Sequence, residues 1–146
     1  MSASTVTARQ ISLLLVEDNP GDVGLIEEAL RENGIPHRLT IAEDGEKAVA
    51  VLRKEGASLP DLIVLDLNLP GKSGLEALSE IKRDSALKKI PVIVLTTSSS
   101  HREIVRSYEN HASCFITKPV DYDQYMKVLK AIADFWFKIV TLPGGK

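Results

Sequence analysis

Three short runs, Ile11-Ser-Leu-Leu-Leu-Val16, Leu62-Ile-Val-Leu65 and Val92-Ile-Val-Leu95, are apolar almost throughout instead of alternating. Strands of this kind are buried on both faces, which requires a parallel sheet with helices on either side. Two further runs, Arg38 to Ile41 and Cys114-Phe-Ile-Thr117, bring the candidate strands to five, and longer amphipathic stretches separate them. Asn19-Pro20 offers an N-cap followed by a first-turn proline, Gly34 ends that helix, and Val23, Ile26 and Leu30 form its inward stripe. Ala48, Val51 and Leu52 recur at helical spacing after Asp44-Gly45, as do Leu75, Leu78 and Ile81 before Pro91. The order is β-α repeated five times, which predicts an α/β doubly wound parallel sheet with right-handed connections. At 146 residues and 44% hydrophobic, the chain has material for one core. We expect residues 1–10 and 141–146 to be tails around a domain spanning 11–140.

Several function classes are excluded early. A formal net charge of -2 and a pI near 5.9 give no concentrated positive charge for a phosphate backbone, so no DNA partner is expected. The apolar runs break off after about six residues, far short of the roughly 20 that span a membrane. Cys114 has no second cysteine to pair with, and no charged-then-apolar leader precedes Ile11, so a cytoplasmic location is expected.

In a doubly wound sheet ligands bind beyond the carboxyl ends of the strands. There the sequence sets Glu17-Asp18, Asp66, Thr96-Thr97 and Lys118-Pro119. A single acid at a strand end is ordinary turn chemistry. Three converging acids repel one another unless a cation neutralises them, which invites a hard divalent ion with oxygen ligands, Mg²⁺ above all. Beside such an ion Asp66 has the properties of a carboxylate nucleophile toward phosphorus, with Lys118 and Thr96 available to phosphoryl oxygens.

The pattern Val16-Glu17-Asp18, Leu65-Asp66-Leu67-Asn68-Leu69-Pro70, Gly74, Thr96 and Lys118-Pro119 resembles the receiver domains of two-component response regulators over nearly the whole chain. The resemblance implies a flavodoxin-like (βα)5 sheet in the order 2-1-3-4-5, with an extended C-terminal helix. It implies that Asp66 is phosphorylated and that Asp18 ligates the metal directly. Glu17 would act largely through water and Asn68 through its backbone carbonyl. Thr96 becomes the switch hydroxyl, Lys118 the phosphate-pairing cation, Phe115 the rotating aromatic and Lys118–Pro119 a cis bond. Phe115 lacks the hydroxyl often found there, and Thr97 is larger than the residue common after the switch threonine, narrowing access to Asp66.

The remaining signals are weaker. Gly74 reads as permission for a tight helix start. His37, His101 and His111 have no metal-ligand spacing, and Cys114 reads as a small buried residue. Tyr125, Leu129, Ile132, Trp136 and Ile139 share one stripe of the last helix, but Phe135, Trp136 and Phe137 are consecutive and spread over roughly 200° of an α-helix. Part of that surface is expected at an interface with Ile104, Val105 and Tyr108, against the rival that the Val140 to Pro143 segment folds back over it. The C-terminal run Phe135 to Pro143, with Asn110-His111-Ala112, resembles the small single-domain regulators paired with phytochrome-type histidine kinases, and a homodimer through the fourth and fifth helices fits that likeness. The expected function is a stand-alone response regulator of a phosphorelay. It takes a phosphoryl group from a sensor histidine kinase, catalyses its own phosphorylation and dephosphorylation, and is not otherwise an enzyme. The alternatives are a phosphorylation-independent adaptor and an aspartyl phosphohydrolase, the latter disfavoured because Asn68 stands where a second acid is wanted.

Overall fold

The computed structural model describes residues 10–143. Strands β1 (Ile11–Val16), β2 (His37–Ala42), β3 (Leu62–Leu65), β4 (Val92–Thr96) and β5 (Cys114–Thr117) form one parallel sheet in the order β2-β1-β3-β4-β5. Helices α1 (Pro20–Glu32), α2 (Gly45–Arg53), α3 (Gly74–Arg83), α4 (His101–Glu109) and α5 (Tyr122–Ile132) alternate with the strands.

The three non-alternating runs are the three inner strands, as two-sided burial requires. Leu13, Leu15, Val64, Ile93 and Leu95 pack against Ile26 and Leu30 of α1 and Leu129 and Ile132 of α5. Leu14, Val16, Ile63, Leu65, Val92 and Val94 face the other way, onto Ala48 and Leu52 of α2 and Leu78 and Ile81 of α3. The period-two alternation of the pleat thus feeds two cores at once. The outer strands β2 and β5 are only partly buried.

Local signals end the elements where expected. The Asn19 side chain accepts from the amides of Gly21 (2.8 Å) and Asp22 (3.1 Å), and Gly34 at φ 62° lets Ile35 N–H donate back to Leu30 C=O (3.1 Å). Ser73 and Glu76 close a reciprocal capping box at the start of α3. Gly74 is a steric requirement there. A Cβ at this position would stand 2.3 Å from the Asp66 carbonyl oxygen and 2.5 Å from Leu67 Cα.

Two expectations about faces need correction. In α2, Val49 joins Ala48 and Leu52 in the core while Val51 is exposed, because the helix starts at Gly45 with a phase that turns residue 51 outward. At the C-terminus, α5 passes into a π-helical segment, Ala133–Ile139, closed by Val140 N–H donating to Phe135 C=O (2.9 Å). Hydrogen bonds over five residues rotate the stripe out of α-helical phase. Trp136 keeps its expected place against the core, but Phe137 and Val140 join it there, whereas Ile139 and Phe135 are exposed, Ile139 at 70%. Leu142 is buried in the same core, so packing continues past residue 140. Of the tails, residues 1–9 and 144–146 lie outside the described residues.

Candidate functional site

The register aligns Val16 with Leu65, Leu65 with Val94 and Thr96 with Thr117, so all the strands run out on one edge. Glu17, Asp18 and Asp66 meet there, each offering a carboxylate oxygen within 4.8 Å of the others. Glu17 and Asp66 are buried, while Asp18 faces solvent.

Lys118 follows β5, where its N–H donates to Thr96 C=O (2.7 Å). Its side chain turns inward and is almost wholly buried. Nζ donates to Glu17 Oε1 (2.6 Å), Asp22 Oδ2 (2.9 Å) and Asp66 Oδ2 (3.1 Å). Burial works against the charged amine, but hydrogen bonds to Glu17 and Asp22 and the nearby negative charge outweigh it and raise the lysine pKa. One ammonium cannot neutralise three carboxylates, and burial penalises the most enclosed of them. Desolvation therefore pushes Glu17 up to about 7 even though Lys118 pulls the other way.

Asn68 spans the pocket. Its amide donates to Asp66 Oδ1 (3.1 Å), and its side-chain Nδ2 reaches Thr96 Oγ1 (3.4 Å) and Thr97 Oγ1 (3.2 Å). Thr96 is fully buried and also accepts from Ser98 N–H (3.4 Å). Phe115 is half-buried and packs toward the α2–α3 core. The Lys118–Pro119 peptide is trans, contrary to the cis bond expected. A trans bond already delivers Nζ to all three acids, so nothing at the site opposes the ordinary preference of about 0.5–1 kcal/mol for trans.

The structure gathers Glu17, Asp18, Asp66, Asn68, Thr96 and Lys118, and sets the expected interface residues apart. Ile104 is half-buried and Tyr108 exposed on α4. The Tyr108 hydroxyl accepts from Phe115 N–H (3.1 Å), at the outer edge of β5. Phe135 packs edge-on against Trp136, ring centroids 5.7 Å apart, and Phe137 lines the apolar space between α1 and α5. Cys114 is half-buried, and burial pushes its thiol up, away from reactivity.

Asp22 escaped sequence reasoning. It reads as a routine first-turn acid at a helix N-terminus, and its contact with Lys118 crosses 96 residues of chain. The available signal was topological: α1 starts on the edge where β1 ends, so an acid in its first turn borders the pocket.

Three carboxylates with hard oxygen donors, two of them buried and gathered about one ammonium, fit a divalent cation. The family model for the response regulator receiver domain matches residues 13–130. Response regulator Rcp1 of Synechocystis sp. is 44% identical over 137 residues, which are 91% of this chain and 93% of that protein. The solved Mn(2+)-bound form of Rcp1 superposes with a TM-score of 0.88 at 43% identity, covering 92% of this chain and 99% of that one. The phosphorylated cyanobacterial phytochrome response regulator RcpA gives a TM-score of 0.89 at 47% identity, covering 93% and 100%.

Proposed function

Because the chain belongs to the response regulator receiver family and acts in phosphorylation-based two-component signalling, we propose that Asp66 is its phosphoacceptor. The observation that carries this reading is the buried Lys118 ammonium, 3.1 Å from Asp66, at the strand edge that also holds Glu17, Asp18 and Thr96. Mg²⁺ would be held by the Glu17, Asp18 and Asp66 carboxylates and the Asn68 backbone carbonyl. When bound it offsets the charge of the transferring phosphoryl group. Asp66 attacks phosphorus, and the phosphohistidine P–N bond breaks with its electron pair left on the imidazole, which takes a proton. Lys118 pairs with a phosphoryl oxygen.

Thr96 supplies the switch. Its hydroxyl holds Asn68 and Ser98 at 3.4 Å each, and turning toward the phosphoryl group gives up those two long contacts for a charge-assisted one. The space it vacates favours inward movement of Phe115, which biases α4 and α5 between two arrangements. The phosphodonor is a sensor histidine kinase of the phytochrome type, a reading supported by likeness to RcpA. Exposed Tyr108, Phe135 and Ile139 support a homodimer through the α4 and α5 side. Net charge -2 argues against DNA as the output, and no helix among the described residues is long and apolar enough to cross a membrane, which supports action in the cytoplasm. A phosphorylation-independent adaptor has no use for a lysine buried among three acids.

Asp66→Asn should abolish incorporation of acid-labile phosphate from acetyl phosphate while leaving the circular dichroism spectrum unchanged. Full labelling of that variant would refute the assignment.

A further inference from the structure

A lysine ammonium has three protons, and in Lys118 three carboxylates take them. Two of those acids, Glu17 and Asp66, also belong to the group suited to a cation, and Asp22 does not. Asp22 enters from the first turn of α1, where Asn19 Oδ1 holds its amide at 3.1 Å. Behind it stands Tyr125 of α5, 5% exposed, whose hydroxyl is buried without a hydrogen bond of good geometry. Burial, followed by the negative charges of Asp22 and Glu17, keeps that phenol protonated and able to donate, although Lys118 pulls the other way.

Resting on the assignment of Asp66 as acceptor, we propose that Asp22 is a positioning residue for the phosphoryl group: it holds the Lys118 ammonium over the site when Glu17 and Asp66 turn to the cation. Loading the pocket draws Glu17 and Asp66 oxygens to the metal and covers Asp66 with a phosphoryl group, so Lys118 loses two of its three partners. A four-carbon stem without a second anchor is free to swing. Asp22 stays, keeping one proton of the ammonium and aiming the other two at phosphoryl oxygens. The Tyr125 hydroxyl, beside Asp22, gives it a second donor as its pairing shifts.

The test compares wild type with Asp22→Asn, an isosteric change, by titrating beryllofluoride at saturating Mg²⁺ and, separately, Mg²⁺ alone, both followed by nuclear magnetic resonance. The variant should bind beryllofluoride about tenfold more weakly, the worth of one charge-assisted hydrogen bond, with Mg²⁺ affinity changed less than about threefold. The Lys118 ammonium signal of the loaded protein should broaden in the variant. In a Lys118→Met background, adding Asp22→Asn should leave beryllofluoride affinity unchanged. Unchanged or tighter binding in Asp22→Asn overturns the role, as does equal weakening of both ligands, the mark of a loosened fold. A wild type that binds no beryllofluoride overturns the Asp66 assignment and this role together.

Discussion

At the scale of single residues, the pocket is a problem of excess negative charge. One ammonium serves three acids, and Glu17 bears the cost in a pKa pushed up to about 7 from an ordinary 4.5. Between those values the folded chain binds more protons than the unfolded one, so on Glu17's account stability falls as pH rises from about 4.5 to about 7. A cation needs the carboxylate ionised, so Mg²⁺ affinity should weaken as pH drops below about 7, by roughly tenfold per unit once well below it. Calorimetric titrations at several pH values check this, and Glu17→Gln should flatten the dependence. The gathering of the pocket was legible in the sequence wherever a strand end announced it: Glu17, Asp18, Asp66, Thr96 and Lys118 all follow apolar runs. Asp22 lies inside a helix, where local capping explains an acid fully, and only its long-range contact gives it a further role. The trans Lys118–Pro119 bond was likewise beyond reach, since neither isomer leaves a mark on composition.

At the scale of elements, α3 starts hard against the backbone that follows β3, and among the described glycines Gly74 leaves the least room for a side chain. Gly74→Ala drives a methyl group into the Asp66 carbonyl and should cost about 3 kcal/mol in urea denaturation, the upper range for overpacking. Because the Asp66 loop must shift to relieve it, phosphorylation by acetyl phosphate should slow as well. The C-terminal segment separates its aromatics by function. Phe137 lies against the core and Phe135 does not, so Phe137→Ala should destabilise by about 2 kcal/mol, roughly half the loss for a fully buried ring. Phe135→Ala should change the monomer by less than about 0.5 kcal/mol. Sequence periodicity assumes 3.6 residues per turn and is right for Trp136 as well as for the stripe up to Ile132. The π-helical segment beyond it has a different period, so Phe137 and Ile139 exchange places relative to that expectation.

At the scale of the whole molecule, the layer assignment was legible because three runs without alternation demand cover on both sides, whereas the strand order was implied only by the resemblance to receiver domains. Phe135 and Ile139 are left exposed by the fold, and whether they associate is something no intrachain pattern encodes. If α4 and α5 form the homodimer, Phe135→Glu should halve the mass seen by light scattering at micromolar concentration while Phe137 keeps the monomer folded. Tyr108 also closes the sheet margin, its hydroxyl accepting the Phe115 amide at the outer side of β5. A bare strand margin is a template on which other chains can add a strand and grow without limit. Here a phenol occupies a rung of that ladder, so a chain adding a strand beside β5 would first have to displace it.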